Sequence, residues 1–308
     1  MKFLINIIFI TVILLVSCDG PNTDRNSQKS KVPASATSYS DQFADYWYAG
    51  KAEVASYSLR QARYGEMRDG HATLIFVTEP FSKKKQVKLD NPQQAGDDKM
   101  TVMKLNYVKK FNTGIYPYSM MLSAFTPVDR YHYPNTVKLS MSSQEWCGQV
   151  FTQVNLRDSK KYYVQSFSYF ESEGDEKYEM ENAVMEDELF NQIRLDYTKL
   201  PVGDIKIIPG LFATRLMHQP YQPQQASASL EEGEGTATYA LAYENGRELE
   251  INFSLQFPYK ILSWEETYTD LGNKAMTTKA TLKETLHIDY WRRNSNADEY
   301  LRDSLQLQ

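Results

Sequence analysis

Hydrophobic and polar residues alternate along much of the chain after residue 40. In residues 249–257, apolar side chains occupy the odd positions and polar side chains occupy the even positions between them. Successive side chains of a strand point to opposite faces, so this pattern is typical of a strand with one buried face. Residues 236–243 alternate in the same way, and Asn245-Gly246 between the two segments favours a type I′ turn. The two segments therefore predict a β-hairpin.

A second hairpin is predicted where Asp69-Gly70 separates residues 55–67 from residues 71–78. Further strands are predicted over segments that alternate, or that are rich in aromatic and β-branched residues, namely 136–141, 162–170, 260–268 and 276–287. The pattern shows no regular succession of strand and helix, which argues against a doubly wound nucleotide-binding fold.

Helical periodicity is confined to short segments. Asp41 is a plausible N-cap for an opening helix of one or two turns that ends before Gly50. Residues 183–195 predict one clear helix. In that second helix the apolar residues form an approximate buried stripe, and we expect the acidic run Glu186–Glu188 to face solvent. A last amphipathic segment, 297–305, predicts a short terminal helix.

Sequential hairpins with short turns predict a mainly β fold. We expect an antiparallel meander that forms a large curved sheet, an open barrel or two packed sheets, with one or two short helices. One β-rich envelope domain is predicted over residues 39–308. The best candidate for an internal boundary is residues 219–235, which contain Pro220, Pro223 and several Gly and Ser residues. The same segment equally fits a long surface loop between halves of one sheet.

The first 17 residues have the pattern of a signal peptide. Lys2 provides a short positive region, and residues 3–16 are almost wholly apolar but shorter than the roughly 20 residues that span a membrane. The segment ends at Ser17-Cys18 in a sequence that resembles the bacterial lipobox, where a diacylglyceryl group is attached to the cysteine thiol. We therefore expect cleavage between Ser17 and Cys18 and lipidation of Cys18. An ordinary membrane anchor with a chance cysteine is the alternative.

Residues 18–38 contain no aromatic residue and little apolar content. Such a segment cannot bury enough apolar surface to fold, so a lipidated, disordered tether is predicted. A flexible coil of this length holds a domain about 25 Å from a bilayer. The predicted location is therefore the cell envelope, lipid-anchored to a membrane, with the outer membrane favoured and the domain outside the cytoplasm.

Composition narrows the range of partners. The formal net charge is -5, and the basic triplet Lys83–Lys85 is expected in a solvated turn. Nucleic-acid binding needs clustered Lys and Arg, so the charge pattern argues against that class of partner. The 22 tyrosines suit half-buried strands, because the ring packs while the hydroxyl reaches water or a partner.

Two cysteines are present in the sequence. If Cys18 is acylated, Cys147 has no partner within the chain and an intramolecular disulfide cannot form. Cys147 lies in a strand-like stretch between Trp146 and Gly148, so we expect a small buried hydrophobic residue. A reactive thiol is the alternative.

The sequence lacks the common catalytic, metal-binding and phosphate-binding motifs. Its four histidines do not have metal-binding spacing, and neither His-Glu-x-x-His nor Cys-x-x-Cys occurs, so no metal and no cofactor is predicted. The nucleophile motif Gly-x-Ser-x-Gly and the Gly-rich phosphate-binding loops are also missing. We expect His71 and His287 at the surface, and a non-catalytic protein is favoured over an enzyme.

Two Trp–Glu pairs are the sharpest local features, Glu145-Trp146 and Trp264-Glu265. Two carboxylates that face each other across a sugar can hydrolyse a glycoside, with Trp stacked on the ring, so these four are candidate ligand-binding residues. In the alternative interpretation, each Trp anchors a sheet core and each Glu satisfies a strand edge or pairs with Lys or Arg. Glycan binding without catalysis lies between the two.

Several short segments carry a resemblance to a known family. They are Tyr64-Gly65-Glu66, Asp69-Gly70-His71-Ala72, Val77-Thr78-Glu79-Pro80-Phe81, Thr113-Gly114-Ile115-Tyr116-Pro117-Tyr118, Gln144-Glu145-Trp146-Cys147-Gly148-Gln149 and Phe257-Pro258-Tyr259 with Ser263-Trp264-Glu265-Glu266. Over nearly all of the predicted domain, the sequence resembles a family of uncharacterised bacterial envelope lipoproteins. The resemblance supports a lipoprotein and implies no known site residues. The first hairpin alone is also similar to the opening of periplasmic β-rich domains with half-barrel shapes.

Members of the lipoprotein family are often labelled "septum formation inhibitor Maf". That label implies a cytoplasmic α/β nucleotide pyrophosphatase with an N-terminal Ser-x-Ser-Pro-Arg-Arg-like phosphate-binding segment, which this sequence lacks. A signal peptide would also export such an enzyme away from its nucleotides. We therefore treat the label as a misnomer here.

The leading hypothesis is a membrane-anchored envelope lipoprotein whose curved sheet binds an apolar ligand, a glycan or another envelope protein without catalysis. Its partners are then the lipid bilayer, through acylated Cys18, and one of those ligands. The first alternative is an envelope glycan hydrolase that uses Glu145 and Glu265. The second, a Maf-type nucleotide pyrophosphatase, requires parallel strand–helix–strand order.

Overall fold

Fifteen strands form one continuous sheet in the computed structural model, which describes residues 41–158, 160–269 and 274–307. In chain order the strands are β1 (Ala52–Arg63), β2 (Glu66–Ser82), β3 (Lys99–Thr113), β4 (Tyr116–Pro127), β5 (Lys138–Glu145), β6 (Gly148–Leu156), β7 (Lys161–Ser168), β8 (Asp175–Glu181), β9 (Val184–Met185), β10 (Gly203–Ile208), β11 (Gln224–Glu232), β12 (Thr236–Tyr243), β13 (Glu248–Ser254), β14 (Ile261–Thr269) and β15 (Ala275–Ile288). The short pair β9 and β10 is parallel, and the other neighbours are antiparallel. The predicted signal peptide, Cys18 and tether lie outside the described residues.

Four short α-helices accompany the sheet, α1 (Asp41–Trp47), α2 (Leu189–Asp196), α3 (Leu211–Met217) and α4 (Tyr300–Ser304). Single 3-10 turns occupy Gly96–Asp98, Glu186–Glu188, Tyr197–Lys199, Tyr290–Arg292 and Asn296–Asp298. Helix α1 matches its prediction, and α4 lies within the predicted terminal segment. Helix α3 was not predicted, because five of its seven residues are buried and the segment has no clear polar face.

The strand order shows how the sheet curls. The order is β8-β7-β6-β5-β4-β3-β2-β1-β15-β14-β13-β12-β11-β10-β9, so the chain forms two arms that join where β1 pairs with β15. The outer strands β8 and β9 are linked by Asn182 and Ala183 alone. This short link brings the two outer edges near each other, and Lys206 of β10 forms an ion pair with Glu181 of β8. The predicted mainly β, curved and open-barrel architecture is confirmed.

Helix α2 packs inside the curved sheet. The ring of Phe190 lies 5.7 Å from that of Trp264, between ring centroids, and both side chains are buried. On the other arm, Asn191 Nδ2 donates to the backbone oxygens of Met103 at 3.2 Å and Ala124 at 3.4 Å. One helix therefore contacts both arms of the sheet, and Trp264 is a core residue.

The hairpin predicted around Asn245-Gly246 is confirmed. Strands β12 and β13 pair across this turn, where Gly246 has a φ of 82°. Along β13, Leu249, Ile251 and Phe253 are buried while the side chains between them are more exposed. The basic triplet at 83–85 also lies in a turn, as predicted.

The other predicted hairpin has its turn in the wrong place. The turn between β1 and β2 is Tyr64-Gly65, whose residues have φ values of 55° and 73°. Asp69 and Gly70 lie within β2 instead. A Cβ atom on Gly70 would stand 2.3 Å from the carbonyl oxygen of Lys110 in β3. A glycine is therefore required here because β2 and β3 approach closely, and not because the chain turns.

The segment 219–235 contains a strand instead of the predicted boundary or loop. Strand β11 occupies most of it and pairs with β10 on one side and β12 on the other. Ala226 and Ala228 of this strand are buried, which ties it to the core. The described residues all fall within one compact unit, Thr37–Gln308.

Candidate functional site

Four successive hairpin turns lie on one rim of the sheet, because consecutive strands run antiparallel. They connect β1 to β2, β3 to β4, β5 to β6 and β7 to β8. Each turn presents a bulky exposed side chain, Tyr64 at 49%, Ile115 at 81%, Trp146 at 67% and Tyr169 at 71% exposure. We call these four side chains, together with Tyr116, the aromatic rim. Contiguous exposed apolar surface is a common feature of interaction sites in proteins.

The rings of the aromatic rim follow one another from the first hairpin to the third. The hydroxyl oxygens of Tyr64 and Tyr118 are 2.9 Å apart. The ring centroid of Tyr118 lies 5.9 Å from that of Tyr116, which in turn lies 6.4 Å from that of Trp146. Through the buried ring of Tyr118, the series therefore connects the exposed side chains of three neighbouring hairpins.

Tyr169 continues the series because Gly148 leaves room for its ring. A Cβ atom on Gly148 would lie 2.6 Å from Cγ of Tyr169, closer than any real contact. Beside them is an open cleft of about 420 Å³, lined by Gln144, Glu145, Gly148, Gln149 and Tyr169. Two amides, one carboxylate and one phenol ring thus line the same cleft.

Trp146 and Cys147 form the turn that follows Glu145, the last residue of β5. The backbone N–H of Cys147 donates to Glu145 Oε2 at 2.7 Å. Cys147 is exposed, so the prediction of a buried residue is wrong, because the residue lies in the turn between β5 and β6 and not within a strand. The hydrogen bond from its thiol to Glu145, with the charge of that carboxylate, raises the pKa of Cys147 above its ordinary value.

The structure does not bring the two predicted Trp–Glu pairs together. Trp264 is buried in the core at 2% exposure, whereas Trp146 is exposed on the aromatic rim. Glu265 forms an ion pair with Lys279 at 2.5 Å. Five strands separate β5 from β14 in the sheet order, and Glu265 lies on the outer face of β14 because its neighbour Trp264 points into the core, whereas Glu145 is at the rim end of β5. Glu145 and Glu265 therefore do not form a pair of carboxylates across one sugar.

A second cleft, of about 110 Å³, opens between the first hairpin and the end of α3. It is lined by Arg63, Tyr64, Leu216, Met217, Gln219, Tyr268 and Thr269. The Arg63 guanidinium is 5% exposed and donates to the Leu216 carbonyl, to Tyr64 Oη at 3.0 Å and to Tyr118 Oη at 3.3 Å. Arg63 thus ties the first hairpin of the rim to α3.

Below the aromatic rim, the inside of the sheet holds a buried ionic cluster. Arg247 donates to Glu186 Oε2 at 2.5 Å and Oε1 at 2.6 Å, and its Nε and Nη2 donate to Glu266 Oε1 at 2.9 and 2.7 Å. Lys109 Nζ lies 4.0 Å from Glu266 Oε2. Together with Asp187, these side chains are between 2% and 8% exposed. We refer to the five residues as the ionic cluster.

The expectation that Glu186–Glu188 face solvent is wrong. Val184 and Met185 pair with β10 as strand β9, so the helix begins only at Leu189 and the acidic run forms a 3-10 turn at the sheet edge. Its side chains are buried, and Glu188 accepts from Arg130 at 2.9 Å. Ion pairing offsets the cost of removing these carboxylates from water.

Burial shifts the ionisation of the ionic cluster. Burial, together with the charge of Glu186, raises the pKa of Asp187 to about 7, although the N–H of Leu211 and Arg247 favour its ionised form. Burial lowers the pKa of Lys109. For Glu266, burial favours the neutral acid, but Arg247 and Lys109 outweigh it and hold the pKa below its ordinary value.

Shifted pKa values are common in catalytic sites, but they also occur in structural ion-pair networks. Helix α3 covers the ionic cluster: the N–H of Leu211 donates to Asp187 Oδ2 at 3.0 Å, and the ring of Phe212 lies 5.4 Å from Lys109 Nζ. The side chains are thus enclosed and have partners within the protein. We assign the cluster to stabilisation of the fold.

The two histidines predicted at the surface are half-buried. The ring of His287 stacks on that of Tyr46, with centroids 4.1 Å apart, and burial lowers the pKa of His287 and of His71. In the described part of the chain, no group of three or more His, Cys, Asp or Glu side chains is placed to hold a metal ion. Among helices in the described ranges, none is long and apolar enough to cross a membrane.

Sequence reasoning found Trp146 but missed its neighbours on the rim. Tyr64, Ile115 and Tyr169 lie far apart in the sequence, and only strand register places them side by side. A usable signal was present, since each is a bulky residue next to a glycine or at the end of a predicted strand. Such residues in turns are unusual, because loops are commonly small and polar.

Comparisons with known proteins add the following. No family model matches the chain, and no curated protein matches it. Its fold is similar to the crystal structure of a β-barrel-like protein of the domain of unknown function DUF1849 from Brucella abortus, with 8% sequence identity and a TM-score of 0.48. The similarity covers 78% of this chain and 98% of that chain.

Proposed function

We propose that the chain is a lipoprotein of the bacterial cell envelope whose domain is a non-catalytic binding module. In this proposal, acylated Cys18 holds the domain on a membrane and the aromatic rim binds the partner. The observation that carries the binding role is the row of exposed side chains on four consecutive hairpin turns. Bulky apolar side chains in such positions lose favourable burial unless a partner covers them.

The interior of the sheet is the alternative place for a ligand. Phe190 of α2 and Trp264 pack there, and Tyr107 lies 5.4 Å from Trp264 between ring centroids. Arg247 and Lys109 occupy the region under α3 with their carboxylate partners. Side chains thus occupy the space that a carrier of apolar ligands would keep open, so the rim is the better candidate.

The position of the aromatic rim relative to the N-terminal end of the domain supports an anchored protein. Helix α1 precedes β1, and β1 begins at the rim opposite the aromatic rim, where Ala52 pairs with Ile288. A tether attached before Asp41 therefore favours an arrangement in which the aromatic rim points away from the bilayer. The twelve residues of β1 span about 40 Å, at about 3.3 Å for each residue.

Metabolic labelling tests the anchor. The full chain is expressed in a bacterium that processes lipoproteins and is supplied with radioactive palmitate. We expect label in the wild type and none in Cys18→Ser, and the protein should move from the membrane to the soluble fraction. Cys147→Ser is the matched control, since the sequence has two cysteines. Label that persists in Cys18→Ser contradicts the anchor.

Site-specific photo-cross-linking tests the rim. A benzophenone amino acid replaces Ile115, which is 81% exposed on the aromatic rim, or Tyr131, which is 83% exposed in the β4–β5 connection at the opposite rim. After irradiation of intact cells we expect adducts of higher mass from position 115 and none from position 131. The same yield from both positions, or none from position 115, counts against a binding rim.

A further inference from the structure

We infer that the aromatic rim binds a neutral polysaccharide chain. Trp146 and Tyr169 would stack on the faces of sugar rings, and the amides of Gln144 and Gln149 would hydrogen-bond to sugar hydroxyls. The inference rests on the proposed function and specifies the chemical class of its ligand. It is carried by the composition of the larger cleft, the succession of rings on neighbouring hairpins and the charge of the side chains that line the clefts.

The composition of the larger cleft matches the two-sided chemistry of a sugar. A pyranose ring has C–H groups on its faces and hydroxyl groups around its edge. Its binding site therefore needs an exposed aromatic face with hydrogen-bonding groups beside it. The cleft provides the ring of Tyr169, the amides of Gln144 and Gln149 and the carboxylate of Glu145. A purely apolar partner would leave these polar groups without hydrogen bonds.

The arrangement of the rings favours a chain over a single sugar. Tyr116 and Trp146 lie side by side with their ring planes inclined by 32°, and Tyr116 also adjoins Tyr118. The series continues to Tyr64 of the first hairpin, while Tyr169 lies on the fourth. Rings on four neighbouring hairpins offer successive stacking positions along the rim, which suits a polymer of several sugars.

The charge of the rim favours a neutral polymer. Glu145 places a carboxylate in the larger cleft, which repels polyanions. Among the described side chains that line the two clefts, Arg63 alone is a cation. Its guanidinium is buried and donates to Leu216 and to two tyrosine hydroxyls. The clefts thus offer no exposed cation for an acidic glycan.

Affinity electrophoresis of the full chain in mild detergent tests the inference. Native gels contain one soluble polysaccharide each: a β-1,3-glucan, a β-1,4-glucan ether, a galactomannan or dextran, with alginate as the anionic comparison. We expect at least one neutral polymer to retard the wild type and alginate to leave its mobility unchanged. Trp146→Ala and Tyr169→Ala should each raise the apparent dissociation constant about tenfold, as for loss of an anchoring ring.

Matched variants test whether binding depends on the aromatic rim or on any exposed aromatic side chain. Trp291 is 45% exposed and Tyr131 is 83% exposed, and both follow strands that end at the opposite rim. Trp291→Ala and Tyr131→Ala should retain wild-type retardation. Gln149→Leu keeps the size of the side chain but removes the amide, so it should weaken binding while leaving circular dichroism and the melting temperature unchanged.

The outcomes distinguish the inference from the proposal on which it rests. Retardation by a neutral polymer that is lost in Trp146→Ala and kept in Trp291→Ala supports polysaccharide binding. If no neutral polymer retards the wild type, polysaccharide binding is wrong, and cross-links from position 115 to a protein then identify the rim as a protein interface. Cross-links from position 115 to a second copy of the chain would identify self-association. If position 115 gives no adduct at all, the binding rim itself fails.

Discussion

At the scale of single residues, the exposed thiol of Cys147 lies beside a carboxylate that opposes its ionisation. Its hydrogen bond to Glu145 and the charge of that residue raise the pKa of the thiol. The thiolate is the reactive form. We therefore expect Glu145→Gln to lower the pKa of Cys147, so that the alkylation rate with iodoacetamide rises at lower pH than in the wild type. Glu265→Gln is the control, and an identical pH–rate profile in Glu145→Gln contradicts the contact.

Asp187 makes the stability of the fold depend on pH. Its pKa is about 7 in the folded protein against an ordinary value of 3.8, so the folded state binds its proton more tightly than the unfolded state. Stability from this group is complete below about pH 4 and is lost as the pH rises through about 7, by at most about 4 kcal/mol. The free energy of unfolding of Asp187→Asn, relative to the wild type, should therefore increase from about pH 5 to about pH 8.

Urea unfolding at several pH values measures this difference, because the other titrating groups largely cancel between the two proteins. Asp204→Asn is a suitable control, since Asp204 is exposed on β10. A constant difference between Asp187→Asn and the wild type across the range would show that Asp187 is ionised in the folded state.

At the scale of elements, Arg247 joins three segments that are distant in the sequence. It lies before β13 and pairs with Glu266 of β14 and with Glu186 of the 3-10 turn that follows β9. Arg247→Met would leave buried Glu186 without its cation and Glu266 with Lys109 alone, at a cost of about 3–5 kcal/mol in the free energy of unfolding. Chemical denaturation followed by circular dichroism measures it.

An exposed ion pair provides the comparison for that variant. Lys279 and Glu265 pair across β15 and β14, but their side chains are 55% and 39% exposed. Lys279→Met should cost less than about 1 kcal/mol, since water already solvates both charges. If Arg247→Met costs no more than Lys279→Met, the ionic cluster does not hold these elements together.

The element scale also shows what could be predicted from the sequence. Strands with one buried and one solvated face, such as β13, were predicted because their alternation is strict. The β1–β2 turn was misplaced because Asp-Gly is a stronger turn signal than Tyr-Gly, while Gly70 is required by contact with β3. Glu186–Glu188 were misassigned because their cations, Arg130 and Arg247, come from distant parts of the chain.

At the scale of the whole molecule, the curvature of the sheet and the aromatic rim were beyond the reach of the sequence pattern. Curvature depends on the pairing of β1 with β15, which joins residues more than 200 positions apart. Local periodicity contains no information about such a pair. The rim depends on the same long-range order, because turns on one side become neighbours only when the strands are in register. Trp146 and Glu145 were therefore identified singly, without the residues that surround them.

The two arms of the sheet should unfold together, because helix α2 packs on both arms and the β1–β15 ladder joins them. Asn191 of α2 donates to Met103 and Ala124 in the first arm, and Phe190 packs on Trp264 in the second. Separate unfolding of either arm would expose this helix and break the β1–β15 ladder, so we expect one cooperative transition.

Hydrogen exchange followed by mass spectrometry in rising urea should give the same midpoint for β4 and β12, and Asn191→Ala should lower both midpoints equally. Ser229→Ala, an exposed change on β11, should lower neither. Two midpoints that differ in the wild type, or a loss in Asn191→Ala confined to one arm, would mean that the arms are separate folding units.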